Sequence, residues 1–246
     1  GDSDPVAGTA SSYNTGIALA DSTITTDGGD VLIRGSSNGA RAGFDDAGVV
    51  LDATDIDAGS GAIDIYGLGA GDTSGVIALN SQLVAGGVSI DGTAEDGGDG
   101  VNLYYVDIGA GLGDVIIDGQ SLDGDGLYAY SSNIVTAGGD ISLTGIGGAQ
   151  GVDFDGDSNQ VYSYGGDILV RGDGGTGVGV YFSGQVNSDG GDITMYGLSA
   201  AAIGLDFGGG YYSGMVSDGG DILLTGIGAT LGVQLRQSSF IDNEIN

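Results

Sequence analysis

The octapeptide Gly219-Gly220-Asp221-Ile222-Leu223-Leu224-Thr225-Gly226 decides how the chain is read, because variants of it return along nearly the whole sequence. They occupy positions 28–35 (GGDVLIRG), 60–67 (SGAIDIYG), 85–92 (AGGVSIDG), 112–119 (LGDVIIDG), 138–145 (GGDISLTG), 165–172 (GGDILVRG) and 190–197 (GGDITMYG). Subtracting the starting positions gives spacings of 32, 25, 27, 26, 27, 25 and 29 residues. Inside each copy the residues alternate: Ile222 and Leu224 against Leu223 and Thr225, Ile141 and Leu143 against Ser142 and Thr144, Ile193 and Met195 against Thr194 and Tyr196. Period two is the mark of a strand with one buried face. A strand-only repeat of this length predicts a β-solenoid.

Two further strands complete each coil. The second follows a glycine-rich turn and reads Gly-Val/Leu-x-Phe/Leu, as in 151–154, 179–182, 204–207 and 232–235, with Val152, Phe154, Val180, Phe182, Leu205 and Phe207 among its inward residues. The third is shorter and often opens on serine, at Ser22, Ser81, Ser132 and Ser239. A propeller blade needs about 40–50 residues, more than one repeat supplies, so each strand must pair with its counterpart one coil away. The expected fold is all-β: a single domain over residues 1–246, a right-handed parallel β-helix with three short strands per coil and about nine coils. Glycine supplies the positive φ or close backbone packing that the corners need. Residues 36–47 and 208–212 lengthen corners and are expected to protrude.

Composition narrows the function. The formal charge is −30, with Arg34, Arg41, Arg171 and Arg236 as the basic residues and no lysine or histidine. Such a surface repels nucleic acid and anionic lipid and attracts cations. Proline occurs once, which excludes collagen, and 40% hydrophobic residues argue against disorder. Cysteine is absent, and no run of about 20 apolar residues offers a membrane helix. The chain opens on Gly1 rather than methionine, which fits a matured product or a piece of something longer.

GGDISLTG, a glycine-rich loop, GVDFDGDSNQV and then GGDILVRG resemble the repeats of filamentous-haemagglutinin-type exoproteins, the large secreted β-helical adhesins of two-partner systems. The resemblance covers about residue 16 to the C-terminus. It implies a secreted, extracellular or cell-surface protein, with adhesion to cells or glycans as one role.

Two groups of residues are candidate ligands for a cation. Aligning the copies puts Asp114, Asp140, Asp167, Asp192 and Asp221 at one corner in five consecutive rungs, about 5 Å apart. Their repulsion, roughly 1–4 kcal/mol per neighbouring pair, must be relieved by bound Ca²⁺ or by hydrogen bonds from corner amides. The stretch Asp153-Phe154-Asp155-Gly156-Asp157-Ser158-Asn159 spaces carboxylates like half of an EF-hand loop, making Asp153, Asp155 and Asp157 the second candidate set for Ca²⁺. No other cofactor is indicated. Asp64, Asp91 and Asp118 are set on successive rungs, but such outward carboxylates occur on any aspartate-rich helix, and a polysaccharide-processing enzyme is the remotest reading. Tyr104, Tyr128, Tyr130, Tyr162, Tyr164 and Tyr181 cluster in the middle coils as an external ladder, a sugar-stacking face or a lateral contact. Without visible caps, the two ends invite head-to-tail stacking of copies into a surface or matrix filament. The expectation is therefore a non-enzymatic structural protein whose partner is itself.

Overall fold

The computed structural model describes residues 15–38, 46–210, 213–236 and 239–241. It is a parallel β-solenoid without a helix among these residues, and every pairing is parallel between one coil and the next. The octapeptide strands form the first wall. Eight of them stack in the order Val31–Ser36, Ala62–Gly69, Gly87–Ala94, Val115–Ser121, Ile141–Gly147, Ile168–Gly174, Ile193–Ser199 and Ile222–Gly228. Eight stacked strands are separated by seven turns of the coil.

The Gly-Val/Leu strands form the second wall, beginning with Ile17–Ala20, Ala47–Asp52 and Ser74–Leu79. The short strands, such as Thr23–Thr25, Gln82–Ala85 and Asn133–Thr136, form the third. In two coils the second and third walls are carried by one continuous strand, Val152–Tyr162 and Val180–Asn187, so the expected break into separate strands is absent there. A register shift between Phe154 and Asn159 accommodates the extra residues of the first of these. The expected loops at 36–47 and 208–212 fall partly outside the described residues.

In-register pairing lines up identical chemistry. Ile141, Ile168, Ile193 and Ile222 are consecutive partners, as are Leu143, Val170, Met195 and Leu224. Opposite them Phe154, Phe182 and Phe207 stack, with centroids 4.7 and 5.7 Å apart. The third wall contributes one large aliphatic side chain per coil, among them Ile56, Leu83, Ile108 and Ile134. Each such residue, fully withdrawn from water, contributes about 1.5–3 kcal/mol.

What brings the first and second walls together is glycine without a side chain on either face. The last glycine of each octapeptide, from Gly35 through Gly226, lies in register with the next. A Cβ built on Gly145 would lie 2.0 Å from the carbonyl oxygen of Gly151, and one on Gly172 would lie 1.9 Å from that of Gly179. Conversely, a Cβ on Gly151 would meet the amide nitrogen of Asp173 at 2.3 Å. Two backbones touch here, once per coil, and no other residue fits.

The remaining corners correct the expectation that glycine makes them all. Asp21, Ala53, Asn80, Tyr105 and Ser131 adopt φ between 46° and 56° where the second wall turns into the third. Tyr164, Asp189 and Asp218 do so where the third returns to the first. The left-handed conformation costs a non-glycine residue about 1–2 kcal/mol, and hydroxyls next to it offset that cost. Ser81 Oγ donates to Leu79 O at 2.8 Å and accepts from Thr54 N–H at 3.1 Å, linking two coils. Ser132 Oγ repeats the pattern with Tyr130 O and Val106 N–H. At the other corner Thr136 Oγ1 donates to Gly139 O and to Ser163 O of the next coil. The recurring serine is thus a buried corner brace.

Replacing Gly172 by alanine should therefore cost about 3 kcal/mol, whereas Gly109→Ala, whose Cβ would find nothing nearer than Leu83 O at 4.0 Å, should stay within about 1 kcal/mol of the parent. Urea denaturation of the two variants checks this, and equal midpoints would refute the backbone contact.

Candidate functional site

The first sequence-derived set, Asp114, Asp140, Asp167, Asp192 and Asp221, does form a column on consecutive rungs of the first wall. Each carboxylate accepts a hydrogen bond from the backbone N–H of the next aspartate: Asp140 N–H to Asp114 Oδ1 at 2.9 Å, and Asp167 to Asp140, Asp192 to Asp167 and Asp221 to Asp192 at 2.8 Å. Corner amides therefore supply one source of relief from the repulsion. Asp30 belongs to the same column and accepts from Ala62 N–H, but Ala62 and Gly87 stand at this position in the next two coils and interrupt it.

Of the second set, Asp153 and Asp155 are near enough for the charge of one to act on the other. Asp153 and Asp155 take alternate positions on one strand, and Asp155 Oδ1 accepts from Gly156 N–H at 2.8 Å. Asp157 lies in the same strand, and its side chain is outside the described residues. Asn159 is buried and spent on the backbone: its Nδ2 donates to Asp155 O, Gly156 O and Ser183 O, and its Oδ1 accepts from Ser132 N–H. Among the described residues, no group of three or more acidic side chains is arranged to hold a metal ion. The carboxylates Asp64, Asp91 and Asp118 are not one column either, because Asp91 pairs with Asp118 but stands above Tyr66, while Asp64 pairs with Ser89.

The structure assembles a different site on the outer face of the second wall. The residue preceding the wall's opening glycine is polar in four consecutive coils: Ser74, Asp99, Asp125 and Gln150. Ser74 Oγ accepts from Asp99 N–H, Asp99 Oδ1 from Asp125 N–H at 3.1 Å, and Asp125 Oδ1 from Gln150 N–H at 2.8 Å. Gln150 then donates through Nε2 to Asp153 Oδ2. In front of this ladder lies a groove of about 700 Å³, walled by Asp72, Asn102, Tyr104 and Tyr128 with Ile77 and Leu79 at one end. Ile77, Asn102 and Tyr128 on its lining share one register column, which continues past the groove to Asp153. The rings of Tyr104 and Tyr130 stack at 4.7 Å, and Tyr105 meets Tyr130 edge-on at 5.5 Å.

Burial makes these carboxyls unlike those of the first wall. Asp153 is only 7% exposed, and its Oδ1 has no hydrogen-bond donor. Desolvation, then the charges of Asp125 and Asp155, push its pKa up to about 7. Desolvation likewise lifts Asp125 to about 6 and raises Asp99, although hydrogen bonds from Gln150 N–H, Asp125 N–H and Asn102 oppose the rise. The Tyr128 hydroxyl is pushed to about 12, first by burial and then by Asp155 and Asp153. At the far end of the same face Arg236 pairs with Asp206 and lies over Tyr181 at 5.8 Å. Compared with protein-family models, curated proteins and solved structures, the chain gives no match.

The groove could have been found from the sequence by the repeated Asp-Gly-Val/Leu of 99–101 and 125–127, spaced like the coil. The exposed octapeptide aspartates drew attention because they are more regular, yet regularity there reflects a satisfied backbone.

The sign of the pH dependence follows from these shifts. A carboxyl whose pKa is higher in the folded chain stabilises the fold below its unfolded value near 4, and loses that contribution as pH rises through 6–7. Asp153→Asn should raise stability at pH 8 by about 1–3 kcal/mol and change little at pH 4. Denaturant midpoints at the two pH values test this, and an equal effect at both would refute the buried charge.

Proposed function

We propose that the chain is a non-enzymatic, extracellular structural element that adds head to tail, one copy continuing the coil of the next in a surface or matrix filament. The observation that carries this reading is the complementarity of the two ends of the aspartate column. At one end, no donor among the described residues reaches the Asp221 carboxylate; at the other, no acceptor among them faces Asp30 N–H. Stacking Ile222–Gly228 beneath Val31–Ser36 of a second copy would add one more rung with the bond that Asp192 and Asp221 already make.

The apolar interior supports the same reading. Ile222, Leu224 and Val233 are only partly covered, while their counterparts Ile193, Met195 and Leu205 are fully buried. An unpaired strand edge over an apolar interior is a template for a further strand, and a heterologous contact of this kind does not close. The net charge of −30 opposes lateral aggregation while leaving axial hydrogen bonding intact. Resemblance of the repeats to secreted β-helical adhesins supports an extracellular setting.

Sedimentation velocity tests the proposal. The parent should form species growing with concentration, and Leu224→Glu, which puts a charge on the terminal apolar surface, should shift them at least tenfold toward the 24.0 kDa monomer. A parent that stays monomeric at hundreds of micromolar would overturn it.

A further inference from the structure

We propose that the groove over the second wall binds an amino sugar, its ammonium group against Asp125 and its ring against Tyr104 and Tyr128. The site is independent of head-to-tail stacking. Its volume of about 700 Å³ falls within the 300–1,000 Å³ of small-ligand sites, enough for two sugar rings.

The acceptors indicate a cation. Asp99 is committed on both oxygens, to Asp125 N–H and Asn102 Nδ2. Asp125 uses only Oδ1, for Gln150 N–H, and no donor among the described residues reaches its Oδ2. Past the groove's lining, Asp153 is more than nine-tenths buried and keeps Oδ1 without a donor. Asp72, Asp99 and Asp125 line the groove with no arginine among the lining residues, so the concavity is acidic and without a counter-charge. An anionic sugar or a phosphate would be repelled, and a neutral one would leave the field uncompensated.

The shape distinguishes an amine on a ring from a bare metal ion. A calcium ion needs six to eight oxygens within about 2.3–2.6 Å, whereas these carboxyls come one per coil, about 4.8 Å apart, and no acidic group among the described residues gathers into such a cluster. The remaining lining is half apolar: Ile77, Leu79 and the tyrosine rings offer flat surface for a pyranose face, and Asp72 and Ser74 lie beside it as hydroxyl partners. Aromatic rings also attract an ammonium directly.

Calorimetry of the whole chain at pH 6 and low salt, with the β-1,4-linked disaccharide of glucosamine as the probe, tests the site. Binding with a dissociation constant below 1 mM is expected, on the order of −4 kcal/mol or stronger, weakened at least tenfold by Asp125→Asn and by Tyr128→Ala and unchanged by Thr144→Ala on the first wall. Because the ammonium favours ionised Asp125, binding should also release protons, seen as heats that differ between buffers. The N-acetylated disaccharide and calcium chloride should not compete. No heat at 10 mM disaccharide, equal binding of the N-acetylated form, equal binding of a linear diamine, displacement by calcium, or an unaltered Asp125→Asn variant would each overturn the assignment.

Discussion

Contact between two bare backbones, once in every coil, is the constraint on which the rest of this fold depends. The eighth residue of each octapeptide is glycine because a second-wall carbonyl occupies the space of its Cβ, and the residue that opens the second wall is glycine because its Cβ would meet a backbone amide of the first wall. This approach holds the first and second walls close enough for single layers of Ile, Val, Leu and Phe to fill the interior. It also fixes register. A coil displaced by one residue would drive a side chain into a carbonyl, so the hydrophobic and glycine patterns reinforce each other.

Around that contact the polar groups sort by depth. Corner hydroxyls are buried, and those of Ser132 and Ser163 reach from one coil to the next, which makes the strained left-handed residues tolerable. Outward carboxylates such as Asp140 and Asp167 rest on amides of the adjacent coil and face water. Asp99 and Asp125 at the groove have the same kind of amide partner but less water, and their affinity for protons rises accordingly. One structural device, an aspartate capping the next rung, is exposed on one wall and partly buried on another, and solvation separates the two.

Much of this architecture was legible in the residues. Alternation in the octapeptide assigned Ile141, Leu143, Ile193 and Met195 to the interior, and the spacing of the copies assigned one strand to each coil. The aspartate column was legible too, since Asp114 to Asp221 share a place in the phrase. Three features were not. Left-handed Tyr105 and Ser131 carry no local signature, because what permits them is a hydroxyl bond that exists only in the stacked coil. Asp64 lies one rung from Asp91 but two residues out of its column, a register that their shared chemistry conceals. The groove depends on Asp99 and Asp125 being half-buried between tyrosines on the outside of the wall, which periodicity does not encode.

The central claim, in-register stacking of coils, is tested most directly by a distance along the first wall. The chain has no cysteine, so Ser89→Cys and Thr194→Cys can carry a pair of spin labels. These positions lie in one column through Ile116, Ser142 and Leu169, four rungs apart, and pulsed dipolar spectroscopy should give a narrow distribution near 19 Å at about 4.8 Å per rung. A broad distribution, or a separation centred beyond about 30 Å, would contradict the stacked coil.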